Sequence, residues 1–209
     1  MELSSYARIR PRKANFATYP ATQREALIRL PFFFGLRYTP RMEKPYWLKL
    51  AHSALAVKET AGAKHHPMIL HWWERIKSSI RDDETAWCAA FVGGILEDSG
   101  IPSTLSAAAR SYTKWGHPLS GPAVGAVVTF WRGKPDGWSG HVGFVVGKDQ
   151  SGNLMVLGGN QSDEVNIKPF ATNRVLSYRW PKSHELPPVV GFGALPVVDS
   201  NGEVSKNES

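Results

Sequence analysis

Cysteine is almost absent from this 209-residue chain, which contains only Cys88. A single cysteine excludes an internal disulfide framework and is compatible with synthesis in a reducing compartment. Long hydrophobic runs are also missing. The apolar residues 30–36 are too few to span a bilayer and include proline and glycine, so we expect no signal peptide and predict synthesis in the cytoplasm.

Acidic residues are scarce in the N-terminal quarter. Residues 1–50 contain ten Lys/Arg and three Asp/Glu, a net charge of +7, whereas the other 159 residues contain fifteen of each sign. This imbalance favours an anionic partner, such as a cell-wall polymer, a membrane surface or nucleic acid. A solvated basic arm without a partner is the alternative. We predict that residues 1–45 form a basic N-terminal extension.

Hydrophobic periodicity predicts helices in the first half of the remaining chain and strands in the second. The predicted helices cover 46–58, 67–76, 86–98 and a short stretch within 103–111. The predicted strands cover 124–131, 141–147, 153–159, 164–168 and 174–180. This order indicates an α+β fold in which N-terminal helices pack on an antiparallel β-meander.

Two boundaries follow from the composition. Residues 46–181 contain all of these elements and form the predicted domain. Residues 182–209 are rich in Pro, Gly, Ser and Asn, so we predict a disordered C-terminal tail.

Cys88 is predicted to lie in or near the first turn of a helix capped by Asp83 or Thr85. The positive end of the helix dipole favours a thiolate, the nucleophilic form of cysteine. A buried cysteine that only fills the core is the alternative, and Asp82, Asp83 and Glu84 are interpreted as a solvated lead-in to the helix.

His141 begins a predicted strand whose hairpin partner ends in two amide side chains. A four-residue loop places Asn160 opposite His141, whereas a three-residue loop places Gln161 there. Either amide oxygen can accept a hydrogen bond from one imidazole nitrogen, which leaves the other nitrogen to act on a thiol. The sequence leaves the choice between the two amides open.

Three further histidines, His65, His66 and His71, show no acidic or cysteine ligand at a spacing typical of zinc sites. We therefore predict no metal and no cofactor. Eight tryptophans are a large number for this length, and aromatic surfaces often bind sugars.

As an ordered set, several motifs resemble papain-like cysteine peptidoglycan hydrolases of the NlpC/P60 and CHAP kind, most closely a small phage- and prophage-associated group. The matching stretches are Val57-Lys58-Glu59, Asp83-Glu84-Thr85-Ala86-Trp87-Cys88-Ala89-Ala90-Phe91-Val92, Lys114-Trp115-Gly116, Gly140-His141-Val142-Gly143-Phe144, Leu157-Gly158-Gly159-Asn160-Gln161-Ser162 and Tyr178-Arg179-Trp180-Pro181. The resemblance implies a papain-like fold, with Cys88 as nucleophile, His141 as base and Asn160 as third catalytic residue.

The resemblance also implies hydrolysis of an amide bond in the peptidoglycan stem peptide through a thioester, without settling which bond is cut. We expect Trp87, Glu84, Gln161 and Trp138 to contact the substrate. The protein would act in the periplasm or cell wall after release, secretion or virion delivery, as an endolysin or effector. The alternative is a phage structural or nucleic-acid-associated protein with an inactive papain-like domain.

Overall fold

The computed structural model describes residues 44–62, 64–188, 190–200 and 204–205. The predicted N-terminal extension, residues 1–45, lies outside this part of the chain except for its last two residues. Its boundary and its proposed partners therefore stay predictions.

Helices precede strands in the described residues, which confirms the predicted α+β class. The α-helices are α1 (Tyr46–Ser53), α2 (Pro67–Arg75) and α3 (Cys88–Asp98). The strands are β1 (His117–Leu119), β2 (Val127–Trp131), β3 (Gly140–Lys148), β4 (Leu154–Gly158), β5 (Asn166–Phe170) and β6 (Val175–Trp180). Short 3₁₀ segments occur at Ala109–Lys114, Thr172–Arg174 and Phe192–Ala194, so the helix predicted within 103–111 begins later and is not α-helical.

The six strands form one antiparallel sheet in the order β1-β6-β2-β3-β4-β5. Strands β2 to β5 form the predicted meander, but β6 returns across the sheet to pair with β2. The short strand β1 was not predicted, because three residues with a central Pro118 give a weak strand signal. Proline is tolerated there because β1 lies at an edge of the sheet.

Helix α1 ends five residues earlier than predicted, since the chain after it pairs with a distant loop. Ala56 adopts a positive φ of 66°, which a right-handed helix cannot accommodate. The backbone N–H of Ala56 donates to Val165 O at 3.0 Å, and the N–H of Glu59 donates to Asp163 O at 2.9 Å. These bonds fasten residues 56–59 to the loop between β4 and β5.

Helix α3 is the centre of the core, with every residue from Cys88 to Leu96 buried. It packs against α2 on one side and against β3 and β4 on the other. Gly94 permits the close contact with α2, because a Cβ atom there would lie 2.8 Å from Trp72 Cγ. No helix in the described ranges has the length and apolar character needed to cross a membrane.

The segment after β6 is not a disordered tail throughout. The N–H of Lys148 donates to Pro196 O at 2.9 Å, and the N–H of Val198 donates to Lys148 O at 2.8 Å. Leu195 is buried in the same region. The prediction of disorder is wrong for residues 190–198, because composition alone does not register backbone bonds to a strand more than forty residues earlier.

Candidate active site

Cys88 is the first residue of α3, so its predicted position in the first turn is confirmed. The residue is 8% exposed. The first N–H groups of a helix have no intrahelical acceptor and form the positive end of the helix dipole. The position therefore favours a thiolate and offers backbone donors to an anionic oxygen.

Neither predicted capping residue is used at this helix start. The preceding residue, Trp87, makes no side-chain cap. Instead, Asp82 Oδ1 accepts the N–H of Thr85 at 2.7 Å and closes a separate turn before the helix.

Asp83 is fully buried, so its interpretation as part of a solvated lead-in is wrong. Its Oδ2 accepts the N–H groups of Thr60 and His66, both at 2.8 Å, and its Oδ1 lies 2.8 Å from His65 Nδ1. Burial alone would raise the pKa of Asp83, but these hydrogen bonds outweigh burial and hold the pKa below its ordinary value. Asp83 thus fixes the loop before Cys88 to residues 60–66.

His141 is the second residue of β3 and is fully buried. Its Nε2 lies 3.0 Å from Gln161 Oε1. The opposite end of the Gln161 amide is also engaged, since its Nε2 donates to the backbone O and the Oδ1 of Asn166, at 2.9 and 2.7 Å. This network requires the Gln161 oxygen to face the imidazole, so His141 Nε2 carries a proton and Nδ1 is the basic nitrogen of the neutral ring.

Asn166 is in turn held in place. Its Nδ2 donates to Gln161 O at 2.7 Å and to Glu164 Oε1 at 2.9 Å. Asn166 was not among the predicted site residues. The signal that could have identified it is its amide side chain, only five residues after Gln161, since neighbouring amides can bond to each other. The imidazole is therefore oriented through two successive amide side chains.

The β3–β4 hairpin combines both registers that the sequence allowed. Lys148 pairs with Leu154 near the turn, in the register of the shorter loop. After an irregularity between Val145 and Gly147, the pairing shifts to the register of the longer loop. Neither register decides which amide meets the histidine, because β4 ends at Gly158.

Gln161, rather than Asn160, is the amide that contacts the imidazole. Asn160 has a positive φ of 54°, so the chain leaves the strand direction before it reaches a position opposite His141. Its Oδ1 is buried and accepts no hydrogen bond from the described residues. Gln161, the alternative that the sequence had left open, thus occupies the place beside His141 that was predicted for Asn160. The catalytic role of either amide stays a prediction.

Two consecutive glycines connect the imidazole with the start of α3. A Cβ atom on Gly158 would lie 3.0 Å from His141 Nε2 and 2.9 Å from Gln161 Cδ. A Cβ atom on Gly159 would lie 2.6 Å from Cβ of Phe91, which is one helical turn after Cys88. The imidazole and the first turn of α3 thus pack against two adjacent residues, Gly158 and Gly159. Both contacts are possible only because these residues have no side chain.

Aromatic packing holds the His141 ring, and one arginine holds the loop that leads into β3. The His141 ring stacks on Phe170 with 5.2 Å between centroids and an interplanar angle of 5°. Arg110 donates from its three guanidinium nitrogens to the carbonyl oxygens of Ser139, Pro135 and Lys134 at 2.7, 3.0 and 3.0 Å. Nothing in the sequence pattern pointed to Arg110, because its acceptors are backbone atoms.

The predicted substrate contacts divide into exposed and buried residues. Trp138 is 91% exposed and Glu84 is exposed, so both keep their predicted role as a proposal. Gln161 is fully buried and bonded to the imidazole, which contradicts its predicted contact with substrate. Trp87 is fully buried, which contradicts its predicted contact with substrate.

Trp87 Nε1 donates to Glu59 Oε1 at 2.7 Å. Burial raises the pKa of Glu59 above its ordinary value. The hydrogen bond from Trp87 opposes this effect, while the nearby acids Asp163, Asp83 and Glu84 add to it.

The three clustered histidines have separate partners. His65 contacts Asp83, His71 Nε2 lies 2.9 Å from Asp98 Oδ2, and His66 Nδ1 accepts the N–H of Met68. Among the described residues, no group of three or more His, Cys, Asp or Glu side chains is arranged to hold a metal ion.

Comparison with known protein families relates the middle of the chain to a described domain. Residues 80–160 match the family model of the CHAP domain. The predicted resemblance to CHAP-type peptidoglycan hydrolases is confirmed over this segment, which is less than half of the chain. Comparison with curated proteins gave no match.

The matched segment contains Cys88 and His141 but not Gln161. It starts before Cys88 and ends at Asn160, one residue before Gln161. CHAP domains are typically amidases or peptidases that act on peptidoglycan, and they imply a papain-like fold.

Proposed function

We propose that this protein is a cysteine peptidoglycan hydrolase that cleaves an amide bond of the stem peptide, as an amidase or an endopeptidase. The observation that carries the proposal is the orientation of His141. Its Nε2 proton is held by Gln161, so its Nδ1 is the basic nitrogen, while Cys88 occupies the first position of a helix in the same CHAP segment.

The first half of the reaction forms a thioester. His141 Nδ1 accepts the proton of the Cys88 thiol, and the thiolate attacks the carbonyl carbon of the scissile amide. The resulting oxyanion receives a hydrogen bond from the backbone N–H of Cys88 at the start of α3. The tetrahedral intermediate collapses as the imidazolium gives its proton to the departing amine.

The second half regenerates the enzyme. His141 takes a proton from a water molecule, which attacks the thioester carbonyl. Collapse of this second intermediate releases a carboxylate product and returns Cys88 to its starting state. Gln161 acts as a positioning residue throughout, because it holds the ring in one tautomer and stabilises the imidazolium.

Delivery and targeting are part of the same proposal. The protein acts on the wall from the periplasmic or outer side as an endolysin or effector, after release, secretion or virion delivery. The net charge of +7 in residues 1–50 supports binding of an anionic wall polymer or membrane surface by the N-terminal extension. Nucleic acid is the competing partner for this extension.

The test is mass spectrometry of purified peptidoglycan incubated with the wild-type protein, Cys88→Ala or Cys88→Ser under reducing conditions between pH 5 and 9. We expect soluble fragments from the wild-type protein alone, and their new amino and carboxyl termini identify the bond. Equal release by wild type and Cys88→Ala would overturn the cysteine mechanism. Release by none of the three would overturn the hydrolase and favour the nucleic-acid-associated alternative.

A further inference from the structure

A groove with a volume of about 420 Å³ lies at the C-terminal end of α3. Three chain segments form it: the residues that follow α3, the end of the 3₁₀ segment Ala109–Lys114, and the residues that follow β6. Its walls include Pro102, Ser103, Lys114, Trp115, Lys182 and Ser183.

The groove is separate from the candidate active site. Cys88 is the first residue of α3, and the groove begins with Ile101, three residues after the helix ends. An α-helix rises 1.5 Å per residue, so the eleven residues of α3 separate the two sites by about 16 Å. A ligand in the groove therefore leaves the reacting amide free to reach Cys88.

Trp115 gives the groove a fixed aromatic wall. Its indole Nε1 donates to Pro102 O at 2.8 Å, and its ring packs edge-on against Tyr112 with 6.0 Å between centroids. The residue is nevertheless partly exposed. A tryptophan that is oriented before binding and exposes part of its ring suits the apolar face of a pyranose.

Two cations and two hydroxyl groups complete the lining. Lys114 and Lys182 are exposed, and neither forms an ion pair or hydrogen bond through its ammonium group with the described residues. Among the described residues that line the groove, none carries a carboxylate. Glu97 lies beside the groove without lining it, and its Oε1 accepts the N–H of the lining residue Ser103 at 2.7 Å. The groove thus favours a ligand that carries negative charge.

We propose that this groove binds an anionic saccharide, with a sugar ring on Trp115 and an acidic group between Lys114 and Lys182. The choice of a saccharide as ligand rests on the proposed function. The description of the groove itself is independent of that function. Peptidoglycan combines sugar rings with the carboxylates of its stem peptides, and other wall polymers combine sugars with phosphates. Both present a sugar ring beside an anionic group. A saccharide bound in this groove holds the enzyme on the wall polymer between cleavage events. This raises the local concentration of substrate at the active site.

The test follows the indole N–H resonance of Trp115 by NMR in the full-length Cys88→Ala protein, which cannot consume the ligand. The resonance is assigned by its disappearance in a Cys88→Ala, Trp115→Phe protein. Three probes are titrated: a soluble disaccharide–tetrapeptide from peptidoglycan, a sugar-substituted glycerol phosphate oligomer, and an uncharged chito-oligosaccharide. Because the readout is at Trp115, binding of the fragment at Cys88 does not obscure it.

We expect a saturable shift with at least one anionic probe and binding of the uncharged sugar that is about tenfold weaker. The identity of the active probe tells the carboxylate source from the phosphate source. Lys114→Glu with Lys182→Glu should raise the Kd about tenfold. The control, Lys64→Glu with Lys77→Glu, makes the same charge change at exposed positions outside the groove and should leave the Kd within about twofold.

No shift with either anionic probe, or an equal Kd in the two double variants, would overturn the proposal. The outcome is independent of the hydrolysis assay. Binding at Trp115 without release of peptidoglycan fragments by the wild-type protein would support the saccharide site and contradict the hydrolase. Release of fragments without binding at Trp115 would support the hydrolase and contradict the saccharide site.

Discussion

Gln161 Oε1 meets His141 Nε2 at 3.0 Å, and the Gln161 amide is held from behind by Asn166. This relationship decides which imidazole nitrogen is basic. It also predicts that the two neighbouring amides, Asn160 and Gln161, differ sharply in their effect on activity.

Gln161→Met keeps the side-chain volume but removes the acceptor, so the imidazole loses its preferred tautomer. We expect kcat to fall about 10²-fold with little change in KM. The acidic limb of the pH–rate profile should move to lower pH, because a less stabilised imidazolium loses its proton more readily and leaves the basic form of His141. Asn160→Ala should lower kcat by less than about tenfold. A larger loss in Asn160→Ala than in Gln161→Met would return the positioning role to Asn160.

Gly158→Ala tests the close approach of the amide and the imidazole. The added methyl group would lie 3.0 Å from His141 Nε2 and must displace the ring or Gln161. A shift of about 1 Å at a catalytic group is enough to lower activity about 10²-fold. Gly193→Ala is the control, because its Cβ meets no atom within 4 Å. Circular dichroism should show both variants folded, and full activity in Gly158→Ala would contradict the packing described here.

Asp83→Asn tests the buried carboxylate that fixes the loop before Cys88. Hydrogen bonds to a charged group contribute about 1.5–3 kcal/mol each, so we expect urea unfolding at pH 7 to show a loss of about 3 kcal/mol. The folded pKa of Asp83 lies below the unfolded value. Its stabilisation is therefore present above the unfolded pKa and is lost as the pH falls through the folded pKa.

The difference between wild type and Asp83→Asn should consequently shrink on acidification. The exposed Asp136 provides the control, and Asp136→Asn should change the free energy of unfolding by less than about 0.5 kcal/mol at either pH. If the free energy of unfolding of wild type instead exceeded that of Asp83→Asn by more as the pH falls, the ionised carboxylate would be destabilising in the folded protein.

Glu59→Gln tests the acceptor of the Trp87 indole. The pKa of Glu59 is raised by burial, so its negative charge costs stability at neutral pH and that cost disappears as the pH falls through the folded pKa. The glutamine oxygen still accepts the Trp87 N–H. We expect a Tm equal to or above that of wild type at pH 7 and no advantage at acidic pH. A large fall in Tm at pH 7 would mean that the charge itself stabilises this contact.

The sequence was sufficient for the positions of Cys88 and His141, because helix periodicity and strand alternation are local patterns. It could not choose between Asn160 and Gln161. That choice depends on the end of β4 at Gly158 and on the positive φ of Asn160, and both are set by tertiary packing.

Long-range contacts account for the other errors. Asp83 lies in an acidic run that is typical of solvated surface, yet it accepts hydrogen bonds from Thr60 and His66 about twenty residues earlier. Arg110 binds carbonyl oxygens, which every residue possesses, so no residue pattern marks its acceptors. Burial of Trp87 likewise follows from the packing of Trp72 and Gly159 around it.

The backbone bonds between Lys148 and residues 196–198 affect how this protein can be produced and engineered. A recombinant fragment that ends at Pro181, where composition places the domain boundary, loses the segment that covers Gly147 and Lys148. The uncovered Lys148 backbone groups then become a place where a second molecule can add a strand, which promotes aggregation during expression. Fusion partners and affinity tags should therefore be attached beyond Ser205, whose N–H is bonded to Pro169 O.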